Sequence, residues 1–260
     1  MQHTRDGLTW HTFSILEPYP ELRHGYFTRA GGSSGPARDE LNLAFADERD
    51  PVENVLANID RARAVLGLPA PAFVRQTHGA DISVVMPAHN YHPRSPEEVR
   101  YGFDAMIAPE PDVSLLIKVA DCQGVLLYDP VSRILGLAHS GWRGSVQNII
   151  AATVVKMTRY GAVPQRMLAA VAPSLGPCCA EFVHHAKELP PRFTDHMVSE
   201  NHFDFWAISR EQLTGCGIRP ANIEIAGICT KCSPEFFSYR GGDQWGRFGI
   251  MAGVSQEHFE

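Results

Sequence analysis

The segment from Ala138 to Gly144 concentrates residues that can do chemistry, because it places a histidine and an arginine beside glycines within seven residues. An apolar run at 134–137 precedes it and is typical of a buried strand. Apolar residues at helical spacing follow it, namely Val146, Ile149, Ile150, Val154 and Met157. We therefore expect His139 at the carboxyl end of a strand, just before a helix N-terminus, where open α/β sheets bind ligands. Arg143 adds a planar cation suited to phosphate or carboxylate.

Three segments place a metal-ligand side chain beside small residues where an apolar strand ends, and the side chains are His78, Cys122 and His139. If the strands ending at 75, 119 and 138 lie in one sheet, these side chains converge. Two imidazoles and one thiolate would leave a fourth tetrahedral position for water, as in catalytic zinc sites, and zinc lowers the pKa of that water to near 7. Asp121 is a candidate for orienting a ligand imidazole or for acting as a base. Spacing alone still favours two turn histidines and a small buried cysteine.

The remaining cysteine motifs are interpreted as structural. Cys229 and Cys232 form a single CxxC pair without a second pair or matching histidines, which argues against a zinc ribbon. Cys178 and Cys179 adjoin, so we expect them to pack structurally rather than to share one ligand sphere. Phosphate-loop and dinucleotide fingerprints are absent from the sequence, and so is the Gly-x-Ser-x-Gly elbow.

The composition is that of an ordinary soluble globular protein, with 44% hydrophobic and 20% charged residues. A formal charge of −6 and the lack of any basic run argue against nucleic-acid or membrane partners. The chain opens without a signal-peptide pattern, and no apolar stretch approaches the roughly 20 residues of a membrane span. Six cysteines in such a chain predict reduced thiols and a cytoplasmic location.

The elements that must position the candidate residues follow from hydrophobic patterning. Strands are predicted at 12–16, 25–28, 73–75, 82–86, 113–119, 124–128, 134–137, 167–171, 223–228 and 248–251. A helix should start at an Asp50 cap and end at Gly67, another should follow Gly144, and a third should run from Asp204 to about Leu213. Loops are predicted at 29–36 and 87–102. We expect one domain over residues 1–260 with mixed α/β layers and leave the strand order open.

Specific motifs occur in order along nearly the whole chain: Phe27-Thr28-Arg29 with Gly31-Gly32, Leu41-Asn42-Leu43, Gln76-Thr77-His78-Gly79, Ala120-Asp121-Cys122, Ala138-His139-Ser140-Gly141-Trp142-Arg143-Gly144, Gly176-Pro177-Cys178, Cys229-Thr230, and Phe236-Phe237-Ser238-Tyr239-Arg240 with Gly246-Arg247. In these motifs the chain resembles the multicopper polyphenol oxidase or laccase-domain family, also described as purine nucleoside phosphorylases. It departs from the family pattern after Cys179, where Ala180-Glu181-Phe182-Val183 replaces an aromatic residue followed by Glu-Val-Gly. We expect this departure to affect the shape of the pocket.

The resemblance implies a layered α/β/β/α fold with mixed sheets and one zinc held by His78, Cys122 and His139. It also implies phosphorolysis of adenosine, inosine, guanosine and methylthioadenosine, together with deamination of adenosine. For deamination we expect zinc-bound hydroxide to attack C6 of the purine, with Asp121 as a proton carrier. Phosphorolysis needs phosphate near the sugar C1′, and Arg29 and Arg143 are the candidate phosphate ligands. The substrate contacts expected in addition come from Gln76 and Arg240.

Three alternatives use the same residues differently. True laccases hold several coppers with repeated His-x-His pairs, whereas none of the 12 histidines here lies two residues from another. One thiolate and two imidazoles suit zinc or Cu(I) better than a multicopper cluster, so copper-dependent polyphenol oxidation is disfavoured. A metal-free hydrolase with Cys122 as nucleophile and His78 or His139 as base, acting on cell-wall precursors, stays open. So does a non-enzymatic metal-binding or interaction protein. The expected partners are purine nucleosides and phosphate, for a monomer or homodimer.

Overall fold

The computed structural model describes residues 1–35, 39–45, 50–89 and 92–256. The strands in these ranges are β1 (Gln2–Arg5), β2 (Leu8–His11), β3 (Leu22–Phe27), β4 (Ala30–Ser34), β5 (Ile82–Val84), β6 (Ala105–Ala108), β7 (Val113–Val119), β8 (Gln123–Asp129), β9 (Ile134–Ser140), β10 (Leu168–Val171), β11 (Met197–Ser199), β12 (His202–Phe203), β13 (Ile223–Ile225) and β14 (Phe248–Val254). The α-helices are α1 (Val52–Leu66), α2 (Trp142–Gln147), α3 (Ile149–Thr158), α4 (His185–Glu188) and α5 (Phe205–Gly215). Short 3-10 helices lie at Ser14–Leu16, Pro87–His89, Pro96–Glu98, Pro164–Arg166, Pro191–His196 and Pro220–Asn222.

Two β-sheets pack face to face, and helices cover their outer faces. The first sheet has the order β1-β2-β3-β14-β7 with antiparallel neighbours. The second has the order β13-β10-β8-β9-β6-β5 and is mixed, because its two outermost pairs are parallel. Helix α1 packs on the first sheet, and α3 and α5 pack on the second. This is the layered α/β/β/α fold that the family resemblance implied, with parallel and antiparallel pairs mixed in the second sheet.

The central strands are apolar throughout because both of their faces are buried. Along β8, Leu126 and Tyr128 point into the core between the sheets, while Val125 and Leu127 pack against the helical layer. Strands buried on both faces give continuous apolar runs instead of alternation. The prediction for β7 is therefore confirmed to the residue and that for β8 to within one residue at each end, while the run predicted for β9 starts correctly and stops three residues early.

Helix α1 ends as predicted and begins slightly differently. Gly67 adopts φ 66° and its N–H bonds to the carbonyls of Arg63 and Ala64, which closes the helix. The residue in the N-cap position is Pro51, whereas Asp50 was predicted there. The Asp50 carboxylate instead accepts hydrogen bonds from the side chains of Asn42 and Asn54. Asp50 therefore fixes the preceding segment rather than the helix backbone.

Two predictions near the N-terminus are wrong. Most of the segment 12–16, expected as a strand, lies in or next to the 3-10 helix Ser14–Leu16. The segment 29–36, expected as a loop, contains strand β4, while residue 36 lies outside the described residues. Asn58 of α1 fixes β4, since it accepts from the Ser33 N–H at 2.8 Å and donates to the Ser34 hydroxyl at 2.9 Å. A polar anchor of this kind leaves no hydrophobic pattern in the sequence.

Other boundaries shift for local reasons. The segment 73–75 is not a continuous strand, since isolated bridges occur only at Arg75 and at the preceding Ala72. The helix expected after Gly144 is divided at Asn148, which adopts φ 56° and caps α3 by accepting from the Ala151 N–H. The predicted loop 87–102 contains two 3-10 turns, and residues 90 and 91 lie outside the described part. Across the described ranges, no helix has the length and apolarity needed to cross a bilayer.

The buried His24 makes stability depend on pH. Burial lowers the pKa of its imidazole to about 4, while hydrogen bonding to the Leu22 backbone opposes the shift only in part. The unfolded imidazole titrates near 6.5, so between these values the unfolded chain binds a proton that the folded chain does not. The free energy of unfolding should therefore fall by up to about 3 kcal/mol as the pH decreases from 6.5 to 4. Urea denaturation at several pH values measures this.

The matched variants separate His24 from other titrating groups. In His24→Gln, the part of the pH dependence that belongs to this imidazole should disappear. In His184→Gln, which changes an exposed histidine, the dependence should stay as in the wild type. Equal pH dependence in wild type and His24→Gln would show that burial of His24 does not carry the effect.

Candidate metal centre and active site

His78, Cys122 and His139 meet at one end of the two-sheet core and are called the His–Cys cluster below. One ligand atom from each lies within 4.8 Å of the others. The two imidazole rings are 4.9 Å apart between centroids and inclined at 74°. Antiparallel pairing of β8 with β9 sets Gly124 opposite His139, which brings Cys122, two residues before Gly124, close to that histidine. The convergence predicted from the sequence is present.

The convergence arises by a different route from the one expected. Strand β7, which ends just before Cys122, belongs to the first sheet, whereas β9 with His139 belongs to the second. Cys122 therefore lies where the chain crosses from one sheet to the other, and His78 lies just before β5 of the second sheet. The three residues therefore converge without the common sheet on which the sequence argument made their convergence conditional.

Two positions in the crossing segments have unusual backbones. His78 has φ 62° and Asp121 has φ 80°, values in the left-handed region that residues other than glycine rarely adopt. Such conformations persist only where the surroundings over-determine them, and they concentrate at functional sites. Here the bend at each residue turns a side chain towards the same space.

Gly141 leaves room for the cluster. A Cβ at this position would lie 2.9 Å from Cys122 Sγ and 3.1 Å from His78 Cδ2. We expect Gly141→Ala to displace these two side chains and weaken metal binding by roughly 10- to 100-fold, the effect typical of disturbing a ligand's supporting contacts. Competition with a chromophoric chelator measures the affinity.

Gly215→Ala is the matched control for Gly141→Ala. A Cβ at Gly215 meets nothing within 4 Å, and the residue ends helix α5. Its metal affinity should equal that of the wild type. If Gly141→Ala also bound metal normally, the close contact at Gly141 would have no role in the site.

Asp104 organises the cluster and was missed by the sequence analysis. Its buried carboxylate accepts from His139 Nδ1 at 2.8 Å and from the backbone N–H groups of Thr77, His78 and Gly79 at 2.7–3.1 Å. One carboxylate thus holds the loop that carries the first histidine and the ring of the second. Carboxylate–histidine pairs of this kind fix the orientation of metal-ligating rings.

Mutual electrostatics favours the charged forms of the cluster. Burial opposes ionisation of Cys122, but the neighbouring His139 and His78 outweigh it and lower the thiol pKa to about 6. Burial also opposes protonation of His139, but Cys122 and Asp104 outweigh it and raise the imidazole pKa to about 9. Hydrogen bonds to Asp104, together with the charge of His139, hold the pKa of that carboxyl well below its usual range despite burial. Cys122 therefore has the thiolate character required of a metal ligand.

Asp121 does not orient either histidine. Its carboxylate accepts from the hydroxyls of Thr230 and Ser238 at 2.7 and 2.6 Å and from the Arg240 N–H at 2.6 Å. These donors fix it beside the cluster, and it lines the same cleft. The orienting role that the sequence analysis gave to Asp121 belongs to Asp104.

The cluster opens into a cleft of about 1110 Å³. Of the residues predicted from sequence, the cleft brings together His78, Cys122, His139, Asp121, Gln76, Arg143 and Arg240. Both ends of the Gln76 side-chain amide bond to the Lys118 backbone, so this side chain also joins two segments of the wall. Arg143 is exposed on α2.

Arg29 lies outside this cleft lining. Its guanidinium pairs with Glu40 and with Asp243, and it stacks 4.5 Å from the centroid of the Phe237 ring. Two carboxylates therefore already neutralise the cation that the sequence analysis assigned to phosphate.

Besides Arg75, two other cations in the wall, Lys118 and Arg247, were not assigned a role from the sequence. Burial lowers the pKa of Lys118 to about 7, and its Nζ donates to the Val74 carbonyl at 3.0 Å. Burial also lowers the pKa of Arg247, against the attraction of Cys122 and Asp121. Lys118 stands within an apolar strand and Arg247 within a glycine-containing turn, so neither carried a local signal beyond its charge.

Comparison with known proteins defines the class to which this fold and site belong. Residues 23–255 match the family described as multi-copper polyphenol oxidoreductase laccase. The chain belongs to this family. The crystal structure of YlmD from Geobacillus stearothermophilus superposes with a TM-score of 0.86 at 27% identity, covering 98% of each chain.

Curated relatives carry two enzyme names. A Deinococcus radiodurans protein named purine nucleoside phosphorylase is 33% identical over 254 residues, which cover 92% of each chain. A protein of an unknown prokaryotic organism named adenosine deaminase RL5 is 30% identical over 190 residues, covering 69% of this chain and 70% of the relative.

Proposed function

We propose that this chain is a zinc-dependent purine nucleoside phosphorylase that also deaminates adenosine. The observation that carries the proposal is the convergence of His78, Cys122 and His139 at the wall of a wide cleft that also contains cationic side chains. The names of the two curated relatives support processing of nucleosides. The substrates proposed are adenosine, inosine, guanosine and methylthioadenosine, with phosphate as co-substrate.

The donor set fits one zinc ion. Two imidazole nitrogens and one thiolate within 4.8 Å of one another match the protein ligands of a catalytic zinc site, and all three residues line the cleft. Cu(I) is the alternative metal, because it also prefers soft ligands such as a thiolate. Three protein ligands can hold one ion but do not suit a multicopper cluster. Bound zinc would supply a Lewis acid that activates water at neutral pH.

Cationic side chains in the wall account for the phosphate requirement. Arg143 is exposed and lines the cleft, with its guanidinium stacked 4.2 Å from the Trp142 ring centroid, while Arg247 is half-buried close to Cys122 and Asp121. We assign phosphate to these two in place of Arg29, which is already paired with carboxylates. Positive charge held in a partly desolvated wall would stabilise the negative charge that builds on the departing base as the glycosidic bond breaks.

Asp121 and Arg240 form the part of the wall proposed to meet the base. The Asp121 carboxylate is held by three donors at 2.6–2.7 Å, which fixes its position for moving a proton to or from the purine. The Arg240 guanidinium donates to the Glu181 carbonyl and lies 5.9 Å from the Phe182 ring centroid, beside a space suited to a planar ligand. The changed sequence at Ala180–Val183 lies in this region.

A metal-free cysteine hydrolase is the second candidate. Cys122, His139 and Asp104 stand in the order of a nucleophile, a base and an orienting carboxylate, since Asp104 binds His139 Nδ1 at 2.8 Å. The cell-wall precursors considered from the sequence would be its substrate class. A zinc enzyme needs Cys122 as a metal ligand, whereas a cysteine hydrolase needs it as a free nucleophile. The zinc content of the purified protein therefore distinguishes the two candidates.

Chromatography of products from adenosine tests the function. The purified protein is incubated with adenosine in phosphate and in phosphate-free buffer. Adenine with ribose 1-phosphate, formed only with phosphate, is the expected result for phosphorolysis. For deamination we expect ammonia in both buffers, with inosine in phosphate-free buffer and inosine or its phosphorolysis product hypoxanthine in phosphate. No turnover by protein shown to contain zinc would overturn the proposal. The cytoplasmic location, the single domain over 1–260, the oligomeric state and the absence of nucleic-acid or membrane partners stay predictions.

A further inference from the structure

Four cysteine side chains meet in two adjoining turns that are separate from the His–Cys cluster. The Sγ atoms of Cys178, Cys179, Cys229 and Cys232 all lie within 4.8 Å of one another. Cys178 and Cys232 are exposed, so the core packing expected from the sequence does not describe them. We call this group the four-cysteine cluster.

We propose that the four-cysteine cluster binds one zinc ion as a structural site, beyond the proposed function of the cleft. Tetrahedral zinc with Zn–S bonds of about 2.3 Å holds its sulfurs about 3.8 Å apart. Cys232 Sγ lies 3.7 Å from Cys178 Sγ and 3.5 Å from Cys179 Sγ. Four thiolates without an open position are the ligand set of a closed structural site.

The backbone prepares the site without metal. Ser174 pairs with the 228–230 segment, since its N–H donates to the Ile228 carbonyl and its carbonyl accepts from the Thr230 N–H. This pairing holds the turn with the vicinal cysteines beside the turn with the CxxC pair.

This ligand set could not be recognised in the sequence, because the adjacent cysteines 178 and 179 lie about 50 residues before the CxxC pair. A CxxC pair without a second pair argued against zinc, yet Cys178 and Cys179 supply the missing two sulfurs. Adjacent cysteines reach one point here because the chain turns sharply, with the Cys179 N–H bonded to the Gly176 carbonyl at 2.9 Å.

The four-cysteine cluster would stabilise one wall of the cleft. Thr230, next to Cys229, donates to the Asp121 carboxylate, and Leu175 donates its N–H to the Asp121 carbonyl. Both turns that the zinc would join therefore contact Asp121. The ion would act as a positioning element and would take no part in the reaction.

Metal analysis of single variants tests the site and separates it from the cleft. Purified full-length protein, loaded with zinc and dialysed under reducing conditions, should contain two zinc ions per chain. Cys232→Ser and Cys122→Ala should each contain one, and Cys216→Ser, which changes a cysteine outside both clusters, should keep two. Two ions in Cys232→Ser, or one ion in the wild type that only Cys122→Ala removes, would overturn the structural site and leave the cleft proposal intact. One ion in the wild type that only Cys232→Ser removes would support the structural site and overturn the zinc site of the cleft.

Cobalt spectra of the wild type keep the test independent of the variants' folding. Thiolate-to-Co²⁺ charge-transfer absorption scales with the number of cobalt–sulfur bonds, and the two proposed sites together provide five. An absorption equivalent to one such bond per chain would overturn the four-cysteine cluster as a metal site. Mapping of a disulfide between Cys232 and either vicinal cysteine in freshly reduced and metal-loaded protein would also overturn it.

Discussion

Replacing Cys122 with alanine is expected to remove the zinc of the cleft and to lower kcat/KM for phosphorolysis at least about 1000-fold, the upper range for losing one electrostatic stabiliser of a transition state. The thiolate is the anionic member of a cluster whose other two ligands are imidazoles. Without it, His78 and His139 offer two nitrogens to a cation, too few for a stable tetrahedral site. Deamination should fall with phosphorolysis. Initial rates and metal content are measured on the same preparation.

Cys216→Ala is the matched control for the loss at Cys122. Cys216 is also a half-buried free cysteine, and it caps the carboxyl end of α5 outside both metal-ligand clusters. Its rates and zinc content should equal those of the wild type. Full phosphorolysis by a Cys122→Ala protein without cleft zinc would show that the metal does not serve that step.

Asp104→Asn is expected to destabilise the fold by about 3 kcal/mol or more and to weaken zinc binding in the cleft by about 10- to 100-fold. The Asp104 carboxylate accepts from several N–H groups and from His139 at once. An asparagine amide would turn an NH₂ group towards some of those donors and would carry no charge to orient the imidazole. Urea denaturation and chelator competition measure the two effects.

Asp129→Asn distinguishes the loss of the site from the loss of a buried carboxylate. Asp129 is fully buried, pairs with Arg166 at 2.9 Å, and accepts from the N–H groups of Val131 and Val163. It ends β8, whereas the cluster adjoins the start of that strand. Asp129→Asn should lower stability comparably and leave the zinc affinity of the cleft unchanged. Normal zinc affinity in Asp104→Asn would contradict the orienting role of Asp104.

The part of the fold that the sequence predicted is the part governed by local burial. Strands β7 to β9 lie between two apolar layers, so their runs stand out without any knowledge of their neighbours. Strand β4 contains two glycines and is held by the polar Asn58, so it could not be distinguished from a loop. Sheet membership also depends on contacts between distant segments, and for this reason the strand order stayed open and the assignment of β7 and β9 to different sheets could not be predicted.

The candidate site also contains residues that the sequence indicated and residues that it could not indicate. His78, Cys122 and His139 each follow a strand or strand-like run and carry ligand chemistry, so type and position together indicated them. Asp104 gave no signal, because its partners lie 25–27 residues before it and 35 residues after it, and its function exists only once those segments meet. The four-cysteine cluster was missed for the same reason, since two motifs that are weak separately become one ligand set in the folded chain.

The most direct test of the central claim is removal and return of zinc on the wild-type protein. Chelator-treated protein is assayed for phosphate-dependent release of adenine from adenosine, before and after zinc is added back, beside Cys122→Ala treated identically. The account predicts loss of activity on chelation and recovery with zinc in the wild type, with no recovery in Cys122→Ala. Full activity in wild-type protein shown to be free of zinc would contradict it, because phosphorolysis would then proceed without the metal.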